Sequence, residues 1–285
     1  MAQNRVVVVT GATSGIGLAT AKHLHAAGGW TVVATGRRAS ELAPLAEAGL
    51  ATQALDVTKE ASMVAAVKAI EAQHGTISVL VNNAGFSQSG AIEAVPLEKV
   101  RAQFETNVFG VVRLIQLVLP GMRAQGFGQI VNLSSMGGKL TFPGGGFYHA
   151  TKHALEAISD ALRFEVRGFG VRVTLIEPGL IKSNFATAAL TALQSGAEGG
   201  LYDEFHQAVA TITKEGYEKG PLARLSGTPE DVAKTIEKAL NAKNPRPRYT
   251  VSASATVLLT QHGLLTDRAW DRMLRGTFPS PGVKA

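Results

Sequence analysis

Short runs of β-branched residues recur along this chain, and each is followed by a longer, alanine-rich stretch whose apolar residues fall at helical spacing. That alternation is the pattern of a parallel sheet wrapped by helices. It predicts strands at 6–10, 31–35, 51–55, 79–82, 129–133, 172–176 and 248–251. Several are apolar at successive positions, as expected of strands covered on both faces. Helices are expected at about 15–27, 60–73, 97–123, 148–168 and 229–241. Thr228 reads as the N-cap of the last of these, with Pro229 in its first turn and Glu230 and Asp231 facing the helix dipole. Pro120 inside the third predicts a kink or an early end.

The stretch 180–225 breaks this rhythm with Gly-rich turns and short amphipathic pieces, and reads as an insertion with small helices of its own: a lid or substrate loop, or a merely decorative one. With no linker, repeat or low-complexity tract, residues 1–285 are expected to form one domain, with 252–285 a helical tail. The chain has no cysteine, which excludes disulfides, thiolate metal sites and a cysteine nucleophile. Its seven histidines form no HExxH, so no metal is expected. No apolar run approaches a bilayer span, and no signal segment precedes the first strand, so a cytoplasmic protein is the simplest reading. The net charge of +6 is scattered without a long basic run, which argues against nucleic acid and leaves part of the excess for an anionic cofactor.

Directly after the first strand comes Thr10-Gly11-Ala12-Thr13-Ser14-Gly15-Ile16-Gly17, opening into a helix. Three glycines there permit a tight turn and let the backbone approach a pyrophosphate at helix-terminal amides. Gly11, Thr13, Ser14, Gly15, Ile16 and Gly17 are therefore candidate cofactor contacts, and the fold class expected is α/β, a Rossmann-type doubly wound, mostly parallel seven-stranded sheet flanked by helices. The second strand ends Gly36-Arg37-Arg38, with no acidic residue for the ribose hydroxyls of NAD. Arg37 offers a guanidinium fork to a ribose phosphate and Arg38 adds charge, so NADP(H) is the expected cofactor. After the third strand, Asp56 is a candidate acceptor for the adenine amino group, or a loop cap, and Val57 a wall beside the ring.

Tyr148 and Lys152 stand four apart on a predicted helix, so they share a face one turn apart. An ammonium there favours the phenolate and is expected to lower the tyrosine from its usual value near ~10, making it an acid or base near neutral pH. Together with Thr10 to Gly17, with Asn82-Asn83-Ala84-Gly85, and with Tyr148-His149-Ala150-Thr151-Lys152 in this order and separation, the chain resembles the typical single-domain short-chain dehydrogenases/reductases from Val6 to about Val251. The resemblance implies that Ser135, thirteen residues before Tyr148, bonds and polarises the substrate oxygen, with Ser134 the lesser candidate. It implies that Asn107 holds a backbone carbonyl and a water linking Lys152 to solvent, and that Lys152 also holds the nicotinamide ribose. Asn83, Ala84 and Gly85 are implied to let the cofactor pass close to the backbone, and Pro178, Gly179, Ile181 and Ser183 to lie near the nicotinamide amide. Ser183 stands where the family often has threonine.

The implied reaction is reduction of a carbonyl, with Tyr148 as proton donor, or its reverse. The run 136–147, with Phe86, Phe185 and the insertion, is expected to line a largely apolar pocket, and the sequence is similar to the steroid- and retinol-type branch. Two other readings are a reductase of β-ketoacyl thioesters and a non-catalytic NADP(H)-binding regulator. The latter would be favoured if Tyr148, Lys152 or Ser135 were absent, and none is. A homodimer or homotetramer pairing the helices that begin near Leu97 and Tyr148 is implied by analogy.

Overall fold

The computed structural model describes residues 5–183 and 200–282, together with Phe185, Ala189, Thr191 and Leu193. The other positions of the expected insertion, and the ends of the chain, lie outside the described residues. Seven strands, β1 (Arg5–Val9), β2 (Trp30–Gly36), β3 (Ala51–Ala54), β4 (Ile77–Asn82), β5 (Gly128–Leu133), β6 (Val171–Pro178) and β7 (Arg248–Val251), form one sheet in the order β3-β2-β1-β4-β5-β6-β7. Every neighbouring pair runs parallel, giving the doubly wound Rossmann-type sheet expected.

The strands are apolar at consecutive positions because both faces are covered. Val6 and Val8 of β1 join one buried cluster with Met63, Ile70, Leu114, Val118 and Leu155, whereas Val7 and Val9 join another with Leu24, Val232 and Ile236. Two layers of helix therefore sandwich the sheet. Helices α3 (Glu60–His74), α5 (Gly110–Ala124) and α6 (Gly146–Val166) lie on the first face. Helix α1 (Gly15–Ala27) packs with the helix Pro229–Asn241 on the second. The latter starts on the expected cap: Thr228 Oγ1 accepts from the Asp231 amide at 3.2 Å, and Asp231 Oδ2 accepts from the Thr228 amide at 2.9 Å.

Three details depart from the sequence reading. A short helix α2 (Ala39–Glu47) that the reading did not anticipate carries Pro44 inside it, yet buries Leu42 and Leu45. The expected long third helix is two helices, α4 (Leu97–Phe104) and α5, joined by one π-helical turn, Glu105–Phe109. Pro120 does not end α5, which continues to Ala124. The lost amide bond is offset by an apolar face in which Leu114, Ile115, Val118 and Met122 are all buried. After the sheet, the tail forms helices Ala253–Leu264 and Asp267–Thr277.

The strand order reverses between β1 and β4. In such sheets the crevice beyond the carboxyl ends of the strands at that reversal is where ligands bind. The turns leaving β1, β4, β5 and β6, where the candidate residues lie, all open onto this edge.

Candidate active site

The turn after β1 is tied to the turn after β4 by one threonine. Thr10 Oγ1 accepts hydrogen bonds from the amides of Asn83 (2.9 Å) and Ala84 (3.0 Å), while Asn83 Nδ2 donates to the Thr10 carbonyl at 2.8 Å. The chain approach is so close that a methyl group at Gly17 would lie 2.3 Å from the Gly11 carbonyl oxygen and 2.4 Å from Asn83 Nδ2. Gly11 also adopts φ +65, a conformation that disfavours any side chain. At the mouth of α1 the situation is the opposite. A Cβ at Gly15 would meet nothing within 4 Å, and the N-cap Ser14 makes no side-chain cap. The first-turn amides thus face an open cradle, the arrangement that receives a phosphate at a helix N-terminus. These residues fit a dinucleotide.

At the tip of β2, Arg37 and Arg38 are both exposed. Arg38 pairs with Glu41, leaving Arg37 the freer guanidinium of the two. Asp56 caps its own turn: Oδ1 accepts from the Thr58 amide (3.0 Å) and hydroxyl (2.7 Å). This matches the loop-cap alternative and leaves less acceptor capacity for an adenine amino group. Burial pushes the Asp56 carboxyl up, but the Thr58 hydrogen bonds with Lys59 and Arg37 hold it below its ordinary range. Val57 is buried, and Gly110 of α5 lies against it so closely that a Cβ there would sit 2.4 Å from the Val57 carbonyl.

Tyr148 stands in the first turn of α6 and Lys152 one turn later. Their side chains meet, with Lys152 Nζ 5.7 Å from the centre of the Tyr148 ring and donating to the Leu133 carbonyl at the end of β5 at 2.6 Å. Ser135, two residues beyond that strand, lies near enough to act on the Tyr148 phenol, while its Oγ donates to the Pro178 carbonyl at 3.5 Å and accepts from the Gly137 amide at 3.0 Å. Ser134 is buried without a hydrogen-bond partner for its hydroxyl among the described residues. The structure therefore brings Ser135, and not Ser134, to the phenol. Burial pushes the Tyr148 phenol well above its ordinary value, with Ser135 opposing and Tyr217 adding to the rise. The lowering expected from the ammonium is not found: burial dominates, and what opposes it comes from Ser135 and not from Lys152. Burial likewise brings Lys152 down to about 8, against the pull of Glu156.

Asn107 sits in the π-helical turn, a feature frequent at functional sites. Its Nδ2 donates to the Phe86 carbonyl (2.9 Å) and Thr151 Oγ1 (3.1 Å), and its Oδ1 accepts from the Phe86 amide (3.1 Å). It thus holds a backbone carbonyl, as expected, and reaches the residue beside Lys152. Gly85 is pressed against it, a Cβ there lying 3.1 Å from Asn107 Oδ1.

Pro178 and Gly179 leave β6, with the Gly179 amide bonded to the Val251 carbonyl at 3.0 Å, and Ile181 bridges Gly227. Gly179 has no room for a side chain, since a Cβ would come within 2.7 Å of Ser252 Oγ, the Ala255 amide and Ser254 Oγ. Ser183 Oγ accepts from the Phe185 amide at 3.4 Å. Of the expected pocket aromatics, Phe185 packs at a tilt against Tyr148, with ring centres 5.5 Å apart and 55° between the ring planes. A cavity of about 550 Å³ is lined by 90–92, most of 139–146, Tyr202 and Phe205 of the insertion, and Trp270 and Leu274 of the tail, and none of Ser135, Tyr148 and Lys152 lines it. Phe86 and Phe185 do not line it. Two neighbours escaped the sequence reading: Tyr217, on the helix Asp203–Glu218, whose approach no local spacing reveals, and Glu156, which its position four residues after Lys152 signals.

A doubly wound parallel sheet with a glycine cradle at its reversal point defines a dinucleotide-binding α/β protein of the nicotinamide-dependent oxidoreductase class. Residues 5–194 match the short chain dehydrogenase family model. The chain is 36% identical over 281 residues to the uncharacterized oxidoreductase YusZ of Bacillus subtilis, covering 95% of this chain and 97% of that one. It is 35% identical over 259 residues to a 3-ketodihydrosphingosine reductase of Bacteroides thetaiotaomicron (91% and 92%). Among solved structures, a short-chain dehydrogenase from Streptomyces avermitilis superposes with TM-score 0.79 at 35% identity, covering 96% and 98% of the two chains. A serine dehydrogenase complexed with NADP+ superposes with TM-score 0.74 at 29% identity (87% and 94%). This chain belongs to the short-chain dehydrogenase/reductase family.

Proposed function

We propose that this protein is an NADP(H)-dependent reductase of a ketone or aldehyde on a largely apolar small molecule, or catalyses the reverse oxidation. The observation that carries this reading is the meeting of the Tyr148 phenol and the Lys152 ammonium, 5.7 Å from the ring centre, at the end of β5 with Ser135 beside them. A phenol held protonated at neutral pH is a proton donor, which a carbonyl oxygen needs as it becomes an alcohol. When bound, the nicotinamide supplies the hydride that the carbonyl carbon receives. Ser135 orients and polarises the carbonyl oxygen, and Tyr148 delivers its proton to that oxygen. Lys152 holds the ribose hydroxyls and steadies the phenolate left behind, while Asn107 fixes the turn at Phe86 that borders the site. The amides of 15–17 would hold the pyrophosphate, Asn83 to Gly85 the path beside it, and 178–183 the carboxamide end.

Support for NADP(H) over NAD(H) comes from the exposed Arg37 and the lack of an acidic residue at the end of β2, and from a family neighbour complexed with NADP+. The cavity beside 144–146, walled by Ile92, Leu140, Phe142, Phe205, Trp270 and Leu274, suits an apolar substrate body. The name of the Bacteroides relative records reduction of a ketone. Exposed Leu97, Phe109, Phe164 and Phe169, on α4, the π turn, α6 and the turn after it, support a homo-oligomer paired through these helices. NADPH oxidation against ketones, aldehydes, steroids, quinones and β-keto thioesters tests the reading. No oxidation with any of them, in protein that binds NADPH, would overturn it.

A further inference from the structure

We infer that Glu156 is a positioning residue for the reaction proposed above, acting through Lys152 as the third member of a Tyr148–Lys152–Glu156 line along α6. The inference rests on that reading for its role in turnover, but its physical content belongs to the cofactor-free protein.

Spacing places the three side chains on one face, at successive turns of a helix that is continuous from Gly146 to Val166. Lys152 and Glu156 are both buried, at 7% and 4% exposure, so the carboxylate acts on the ammonium with little water between. The turn after β5 closes over the pair. A Cβ at Gly138 would lie 2.9 Å from Glu156 Cγ and 3.2 Å from the Lys152 carbonyl oxygen, so no side chain fits there.

One carboxylate oxygen of Glu156 is spoken for. Oε2 lies 2.8 Å from Arg248 Nε and 3.3 Å from Lys139 Nζ. Arg248 in turn pairs with Asp160 at 2.6 Å and Glu177 at 3.3 Å, and Asp160 also pairs with Arg163, so β6, β7 and α6 are tied together. The other oxygen, Oε1, is buried and has no hydrogen-bond partner among the described residues. A cluster that served only to join α6 to the sheet would need the first oxygen alone.

Among the described residues, Lys152 Nζ touches the Leu133 carbonyl and the Tyr148 ring and makes no direct ion pair, so Glu156 acts on it from one turn further along the helix. The charged and titratable groups around the line are Lys139 on the turn, Arg248 on β7, Glu177 on β6, and His149, His153, Asp160 and Arg163 on α6, with Tyr217 facing Tyr148 from the helix Asp203–Glu218. Of these and Glu156, only Glu156 acts on Lys152 strongly enough to oppose the effect of burial. Without it, a desolvated amine would shed its proton near neutral pH and lose its hold on the phenolate and the ribose.

The test is to titrate Lys152 directly, by trace acetylation of the cofactor-free protein across pH with peptide mass spectrometry, in the parent, E156Q and K139Q. E156Q removes the opposing charge, so the Lys152 midpoint should fall. K139Q removes a half-exposed cation that competes for Glu156, so the midpoint should rise. A structural cluster alone would move neither. An unchanged or raised midpoint in folded E156Q overturns the inference, as does an unchanged or lowered one in K139Q, which decides alone if E156Q does not fold. The alkaline limb of kcat should follow the same two directions. Absent turnover with the midpoints displaced as stated would count against the proposed reaction and leave the Glu156–Lys152 coupling standing.

Discussion

Lys152 presents its ammonium 5.7 Å from the centre of the Tyr148 ring while its own hydrogen bond runs to the Leu133 carbonyl, so one side chain links the phenol on α6 to the end of β5. The phenol is thereby held in place by a group that does not compete for its proton. Tyr148→Phe should reduce turnover by about 10²- to 10⁴-fold, the usual contribution of a general acid, with NADPH affinity nearly unchanged in a fluorescence titration. Activity retained in that variant would remove Tyr148 from the reaction.

Arg37 is exposed at the tip of β2, whereas its neighbour Arg38 pairs with Glu41. Arg37→Ala should weaken NADPH binding by roughly 10- to 100-fold, as loss of a charge-assisted contact does, and leave NADH binding in place. Equal effects on the two cofactors would refute its role in choosing between them. An acidic residue at Gly36 is a poorer probe, because its Cβ would lie 2.6 Å from Thr13 Cγ2.

At Gly17 the obstacle is backbone as well as side chain. Gly17→Ala should destabilise the fold by about 1–3 kcal/mol in urea denaturation and lower NADPH affinity, since relief of the clash must open the cradle. Full affinity in this variant would show that the cradle is not where the cofactor rests.

His149 is 9% exposed, and its Nδ1 accepts from the Phe142 amide at 3.3 Å. Burial first, then the neighbouring His153, brings it down to about 4 from its usual 6.5. A depressed value means the unfolded chain takes up the proton first, so this contribution is complete above pH 6.5 and is lost as pH falls toward 4. The loss should be on the order of 3 kcal/mol. His149→Gln should flatten the fall in urea midpoint between pH 7 and 4; an unaltered slope would assign it to the carboxylates instead.

Phe164 is 70% exposed on α6. If α4, the π turn and α6 form an oligomer contact, Phe164→Glu should shift the mass measured by light scattering toward the monomer. An unchanged mass would place any contact elsewhere.

Much of this was readable from residue order. The strand and helix alternation specifies a parallel sheet because only strands buried on both faces read as unbroken apolar runs, and Val6 to Val9 do divide between the two faces. Tyr148 and Lys152 meet because four residues is close to one helical turn, a local rule that needs no tertiary information. The glycines of 11–17 were legible because they sit between a strand and a helix. Other features were not. The pattern that marks α4 and α5 does not distinguish a π turn from α-helix, since one extra residue in a ladder leaves the apolar spacing nearly intact.

The sequence by itself thus determined the sheet, its helices and the pairing of phenol with ammonium, because these follow from periodicity and short separations. Only the tertiary structure decided that Asp56 caps its own turn, that Phe185 packs against the Tyr148 ring, and that Ser134 is buried away from it. It alone placed Arg248, 92 residues along the chain, on Glu156. Burial and contacts between distant segments set these, and with them the direction in which each ionisable group moves; no local pattern carries the desolvation that raises Tyr148 and lowers Lys152.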